Sequence, residues 1–376
     1  MTATGAAPRS AELRGLALLF GKLGLIGFGG PAAHIALMRD EVVRRRGWLS
    51  DEEFLDLVGA VNLLPGPNST ELAIHIGERR AGVPGLLVAG TCFILPAALL
   101  VLATAWAYVH YGHLPAVAGA WQDAKPVVVA IVVWALAGFV RVAVRSWSAA
   151  VVGVLALVLA AAGVHELVVL LAAGLAVLLL TPGSRRAGAG AAAAVVPVWA
   201  IAPSAAPGAA GLFLFFLKIG SVLYGSGYVL LAFLRSGLVE RGGVLTETQL
   251  LDAVAAGQLT PGPVFTTATF IGYLLRGVPG AAAATAGIFL PAFALVGVGA
   301  ALIPRLRRSP AARAFLQGVN VGSVALMALV TFQLGQAALT SWLAWLLGVG
   351  SLVLLRAGVN SAWLIAAGAL AGIVLH

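Results

Sequence analysis

Charge is what this sequence has least of. Only 10% of its 376 residues are Asp, Glu, Lys or Arg, against about 25% in a soluble domain. With 61% hydrophobic residues and a mean hydropathy of +1.01, the chain cannot cover a water-facing surface, so lipid is its solvent. Cysteine is nearly absent: Cys92 alone excludes any intrachain disulfide and reads as a small residue in an apolar run. No Gly-x-x-x-x-Gly-Lys-[Ser/Thr] segment occurs, which removes a P-loop nucleotide site. Glu71, His75 and Glu78 fall on nearly one helical face at metal-ligand spacing. No further His or Cys cluster supplies the remaining ligands, so a membrane-embedded metalloenzyme is the weaker reading and no metal or cofactor is expected. The basic surplus (net +9, pI near 10.6) lies mostly between apolar stretches, where it sets orientation, and no nucleic-acid-binding module is legible.

Apolar stretches that approach the ~30 Å hydrocarbon core recur at 86–109, 126–140, 147–164, 166–181, 282–303, 321–335, 342–355 and 361–375. Several are shorter than about 20 residues and must be completed by small or aromatic neighbours. The first apolar segment lacks the basic leader and small-residue cleavage site of a signal peptide, and further spans follow it. The 47 glycines suit close helix packing and helix breaks in a membrane.

The chain is a tandem duplication. Residues 20–70 laid on 216–266 agree at about nineteen of some fifty positions. The agreements include Phe20/Phe216, Lys22/Lys218, Gly29/Gly225, Arg39/Arg235 and Asp56/Asp252, and culminate in Pro65-Gly66-Pro67 against Pro261-Gly262-Pro263. One residue is then lost, and Gly82-Val83-Pro84-Gly85 meets Gly277-Val278-Pro279-Gly280. We divide the chain into an N-terminal repeat (1–183), an Ala/Pro/Gly-rich linker (184–210) and a C-terminal repeat (211–376).

Charge bias indicates that the copies are inverted. Loop 141–146 carries Arg141 and Arg145, while its counterpart 336–341 carries no Lys or Arg. Loop 110–125 holds only Lys125, against Arg305, Arg307, Arg308 and Arg313 in 304–313. Equivalent loops of opposite bias lie on opposite sides of the membrane. A consistent path then makes 51–80 a re-entrant hairpin turning at Pro65-Gly66-Pro67, because each arm has only ~13 residues and cannot cross. The expected fold is all-α and polytopic: two inverted repeats, each of about five transmembrane helices plus one hairpin, about ten full spans. Residues 235–241, with Arg235 and Arg241, land outside and fit least well.

The chemistry is expected at the helix breaks. Gly27-Phe28-Gly29-Gly30-Pro31 and Tyr224-Gly225-Ser226-Gly227 interrupt apolar segments, and the two Pro-Gly-Pro turns do the same in the hairpins. Unpaired backbone at membrane depth is tolerated only inside protein or beside a polar cavity, and helix N-termini after such breaks suit an oxyanion. The bland alternative is that Gly and Pro merely shape packed helices. Ser69 and Thr70, with Thr266 and Thr267 in the second copy, are a candidate cradle or else helix caps. Asn62 and Glu71 add polar groups to the same apolar context. Lys22 and Lys218 are cations at equivalent positions that either contribute positive potential to the site or snorkel to an interface. Glu71 can carry a proton or pair with Lys22 or Arg39; His34 can relay a proton or simply satisfy a carbonyl.

Phe28-Gly29-Gly30-Pro31-Ala32-Ala33-His34, Trp48-Leu49-Ser50, Asn62 to Glu71 and Phe93-Ile94-Leu95-Pro96 together resemble the N-terminal domain of the chromate ion transporter family. The second copy, around Pro261-Gly262-Pro263, resembles that family's second domain. The resemblance implies a bacterial inner-membrane protein with antiparallel halves that exports chromate and confers chromate resistance, with sulfate as a competing anion. The expected partners are a small inorganic oxyanion and lipid, with a homodimer left open. The competing readings are a passive anion channel, a transporter of sulfate or another inorganic anion, and the metalloenzyme above.

Overall fold

The computed structural model describes residues 9–181, 208–224, 227 and 229–375, and every regular element among them is helical. The linker expected at 184–210 lies almost wholly outside the described residues. Helix α1 (Arg9–Ile26) stops at the first glycine break. Helix α2 (Gly30–Arg39) restarts with Pro31 in its first turn, where a missing N–H costs nothing, and widens into a π-turn at Asp40–Arg45. Helix α3 (Asp51–Val61) is begun by Ser50, which accepts from the Glu53 N–H while Glu53 accepts from the Ser50 N–H.

Beyond the Pro-Gly-Pro turn, helix α4 (Asn68–Tyr111) reverses on itself at Ala81 (φ −140, ψ 21) and Gly82 (φ 63, ψ −148). The left-handed φ makes Gly82 a glycine by necessity. The arm 68–80 folds back along 83–111 so closely that a Cβ on Gly77 would run into the Gly85 carbonyl. Helices α5 (Pro115–Ala143), α6 (Trp147–Ala161) and α7 (Glu166–Leu180) follow.

The second half runs through a matching series: α8 (Ala209–Val222), α9 (Leu230–Leu234) with its π-turn Arg235–Glu240, α10 (Glu247–Leu259), a 3-10 turn at Val264–Thr266, α11 (Thr267–Arg308), α12 (Pro310–Ala338), α13 (Trp342–Arg356) and α14 (Ser361–Leu375). Thr246 and Gln249 form the same reciprocal cap on α10. Helix α11 reverses at Arg276 (φ −147, ψ 23) and Gly277 (φ 60, ψ −151), the angles of α4 reproduced to within a few degrees.

The halves interlock. Helix α5 is packed by α13 and α14, and α12 by α6 and α7, so each half's long helix is flanked by the other half's last pair. Helix α4 also lies against α11. Glycine permits this closeness: a Cβ on Gly318 would strike the Ala173 carbonyl, and one on Gly372 the Gly119 carbonyl. Outward faces are apolar, with Trp147, Trp342 and Trp363 strongly exposed, which is the surface a bilayer requires.

Among the described residues, four helical segments are long and apolar enough to cross: Asn68–Tyr111, Pro115–Ala143, Val264–Gly299 and Pro310–Ala338. Five apolar helices are shorter. This is an all-α, multi-pass membrane protein. One boundary differs from the sequence expectation. Lys125, counted above as a loop charge, lies well inside α5, because α4 and α5 are joined only by residues 112–114.

Candidate functional site

The two breaks and the two Pro-Gly-Pro turns meet at the centre, crosswise. The Gly66 N–H donates to the Leu223 carbonyl (2.8 Å), and the Gly262 N–H donates to the Gly27 carbonyl (2.8 Å). Leu223 and Gly27 are aligned positions, as are Gly66 and Gly262. Each hairpin turn therefore satisfies an orphan carbonyl at the broken helix of the other half, as buried backbone requires.

Backbone angles explain the glycines. Gly29 and Gly30 have φ of 101 and 76, and Gly66 and Gly262 have φ of 139 and 98, all values an L side chain rarely adopts. His34, in the first turns of α2, ties the first break to the hairpin: Nε2 donates to the Gly27 carbonyl (2.9 Å), leaving Nδ1 to accept from the Ser69 hydroxyl (3.2 Å). Phe93 holds the ring edge-on at 5.5 Å. His34 thus does what the blander expectation held, satisfying a carbonyl, while also orienting Ser69.

Glu71 is fully buried, at 0% exposure, with its carboxyl against the Cα of Gly66 and near Tyr224. Neither carboxyl oxygen has a hydrogen-bond partner among the described residues. Its expected partners are occupied elsewhere: Lys22 Nζ pairs with Glu41 Oε1 (2.7 Å) and Arg39 Nε with Asp51 Oδ1 (2.8 Å). An unpartnered buried carboxyl is costly to fold around, which makes Glu71 a candidate functional group.

A cavity of about 830 Å³ opens between the halves from this meeting point. Gly29, Pro31, Asn62, Pro67 and Ser69 line it from the first half and Pro263 from the second. Asn68 Nδ2 donates to Asn62 Oδ1 (2.8 Å) across the Pro-Gly-Pro turn, and both side chains border the space. One face of α12 forms a wall carrying Arg313, Gln317, Asn320 and Ser323, and Arg145 joins them from the end of α5. Ser323 is 1% exposed, and its hydroxyl, like the Asn320 Oδ1, has no partner among the described residues. Arg145 and Arg313 are the only ionisable side chains among the described residues lining the cavity, and no carboxylate joins them there. Such a space attracts and solvates an anion.

A family model described as "Chromate transporter" matches residues 14–178 and again residues 210–373. The chain belongs to the chromate transporter family. It is 31% identical to the "Probable chromate transport protein" of Synechococcus elongatus over 353 residues, covering 91% of this chain and 89% of that one. The "Chromate transport protein" of Pseudomonas aeruginosa is 33% identical over 353 residues, 89% and 83% of the two chains. The protein of the same name from Cupriavidus metallidurans is 32% identical over 330 residues, 83% and 80%. No solved structure matches.

Within this family member, several residues singled out from the sequence lie away from the cavity. Lys22 is half-exposed beside Glu41, and Lys218 lies in the neighbourhood of Glu166, His165 and Arg241, so neither cation lines the space. Thr266 and Thr267 donate their hydroxyls back to the Pro263 and Val264 carbonyls (2.8 Å each) and cap no helix N-terminus. Thr70 is buried, with its hydroxyl unpartnered among the described residues. Pro65 and Pro261 frame the two turns without lining the cavity, and Gly225 lies outside the described residues. His75 Nδ1 is 3.5 Å from Glu78 Oε2, while Glu71 points elsewhere; no group of three metal-binding side chains occurs among the described residues.

Sequence reasoning read Arg145 and Arg313 as topology signals and passed over Gln317, Asn320 and Ser323. The available clue was a row of polar residues at helical spacing within an otherwise apolar α12.

Proposed function

We propose that this chain is a secondary transporter of a tetrahedral divalent oxyanion: chromate, exported from the cytoplasm of a bacterium across its inner membrane, with sulfate competing. The observation that carries the reading is the inter-half cavity with two guanidinium groups and no carboxylate among the described residues of its walls. A doubly charged oxyanion offers four oxygens to such donors, and arginine suits oxyanion geometry better than lysine does. Names borne by relatives at 31–33% identity support chromate as the anion.

The halves are an inverted repeat with about ten crossings. Support comes from the reversed charge bias of the loops and from the reciprocal Gly66–Leu223 and Gly262–Gly27 bonds. Moving Lys125 into α5 leaves residues 112–114 without Lys or Arg, which strengthens that bias. Arg145 and Arg313 then lie at the cytoplasmic mouth. Glu71, buried where the breaks meet, carries the coupling proton. The site is complete within one chain.

The test is flux in proteoliposomes with imposed pH and voltage gradients. Labelled chromate accumulates against its gradient, and sulfate inhibits it. Flux that follows voltage alone, with no proton or counter-anion movement, replaces the transporter with a channel; no anion flux overturns the reading.

A further inference from the structure

The cavity has a counterpart that is mostly closed: Leu329, Val330 and Gln333, aligned with cavity-lining Trp134, Ala135 and Gly138, border a pocket of only about 210 Å³. Helices α5 and α12 occupy the same place in the two halves, Pro115–Ala143 against Pro310–Ala338, and Lys125 stands where α12 has Asn320. Asn320 lines the open cavity, whereas Lys125 is largely enclosed, at 14% exposure, with its Nζ 3.3 Å from Asp252 Oδ1. Asp252, at 2% exposure, belongs to α10 of the other half. Its second oxygen accepts from the Tyr108 hydroxyl (2.9 Å), and Trp121 and Phe270 pack edge-on around that ring. The aligned aspartate, Asp56 on α3, is exposed instead. Helix α10 packs against α5, and α3 makes no comparable packing with α12. One pair of elements is docked and its equivalent pair is apart.

We infer that Asp252 is a tethered anion that occupies Lys125 in this state, and that Lys125 becomes an oxyanion-binding residue of a second cavity when α10 leaves α5. This rests on the transporter reading and adds to it a substrate contact on the other side of the membrane. A largely enclosed lysine stripped of its carboxylate is left as an uncompensated charge, so the separation needs another anion to take the carboxylate's place. A tetrahedral oxyanion has the charge and the acceptor oxygens to do so. The asymmetry of the two halves follows from the same point: the half that opens now presents the amide of Asn320 deep in the cavity with guanidiniums at its mouth, whereas the mostly closed half keeps its cation deep and gated.

The experiment compares chromate uptake in proteoliposomes for the wild type, Lys125→Gln, Asp252→Asn and the charge swap Lys125→Asp/Asp252→Lys. The swap preserves an ion pair between α5 and α10 but puts a carboxylate on the anion's route. The swap and Lys125→Gln are expected to abolish uptake, while Asp252→Asn lowers the KM for chromate by about tenfold because the competing anion is gone. A swap that transports at the wild-type rate makes the pair a structural bridge and overturns the inference. A second readout does not depend on how the charge variants fold. Val128, 1% exposed and aligned with cavity-lining Ser323, is replaced by Cys in a Cys92→Ala background. A membrane-impermeant thiol reagent applied opposite the Arg145 and Arg313 mouth is expected to label it only during chromate turnover. Labelling that never depends on chromate overturns the inference. A wild type that moves no oxyanion instead refutes the transporter reading itself.

Discussion

At one end of the molecule α3 stands off α12, whose face lines a wide cavity; at the other, α10 is docked on α5 around Lys125, Asp252 and Tyr108, and the equivalent space is much smaller. The chain builds both ends from the same series of elements, with the same caps and the same reversal angles. The difference is therefore one of pose more than of architecture. On the proposed transporter reading, two equivalent units held in unlike poses around a common centre are the arrangement from which a rocking motion would open either side in turn. At the centre the backbone contacts do not differ, with Gly66 and Gly262 bonded reciprocally across the halves. The closed end is further pinned by Arg241, which pairs with the buried Glu166 of the first half.

The largest expected effect comes from the open end's cations. Replacing both by neutral groups (Arg145→Gln with Arg313→Gln) removes two charge-assisted contacts of about 1.5–3 kcal/mol each, so initial chromate uptake falls at least about a hundredfold. Two lysines in their place restore part of the charge and only part of the rate. Uptake in everted vesicles, at equal amounts of membrane-inserted protein, measures this. Survival of uptake would remove this mouth from the route and leave the open and closed ends functionally alike.

Next come the turns that hold the two ends together. Gly262→Ala would force a side chain into φ 98 and against the Cβ of Ala97; Gly66→Ala would meet φ 139 and the Glu71 carboxylate. Strain of this kind costs about 1–3 kcal/mol. The end of a glutamate can move and a Cβ anchored to a helix cannot, so the Gly262 variant is expected to lose more thermal stability in detergent than the Gly66 variant. The reverse order would show that the first turn, not the second, is the tighter joint.

How much of this is legible in the sequence depends on which kind of interaction each residue makes. Glycine and proline punctuate the backbone locally, so the residue types alone reveal the breaks at Gly27–Pro31, the two Pro-Gly-Pro turns and the duplication. They do not reveal that each turn bonds the other half's break, because that contact joins residues far apart in the chain. Charge in a sequence carries no depth. Arg145 and Arg313 look like loop charges of the kind that set orientation, yet they border a cavity; Lys125 looks like a loop charge and lies mostly enclosed within α5. Lys22, inside an apolar helix, looks like a site residue, but the π-turn after α2 brings Glu41 to it.

A smaller and more selective effect is expected at Glu71. Its counterpart, Thr267, spends its hydroxyl on the Val264 carbonyl, so only the first half has a carboxyl at the centre. Glu71→Gln keeps the shape and removes the ionisable proton. Acceleration of chromate uptake by an imposed pH gradient is expected to vanish, while exchange of chromate for sulfate at equal concentrations continues. Loss of both would make Glu71 a structural group and leave the inequality of the halves without a role in coupling.

The smallest effect is expected at Lys22, where sequence reasoning and the structure disagree most. Its ammonium is half-exposed and paired with Glu41, whose carboxyl is held below its ordinary range first by that hydrogen bond, with Arg46 and Arg45 adding to it. A carboxyl with a lowered folded-state pKa contributes stability above its unfolded pKa and loses it as pH falls through the folded value. Lys22→Met therefore costs about 1 kcal/mol near neutral pH, because the enclosed Glu41 carboxyl keeps Arg45 and Arg46, and less still in acid. Chromate uptake is expected to stay within about twofold of wild type, since a charge-balanced pair outside the cavity adds little to the field on the anion. A severe loss of uptake with unchanged thermal stability would return Lys22 to the anion's path and require α1 to turn toward the cavity in the other state.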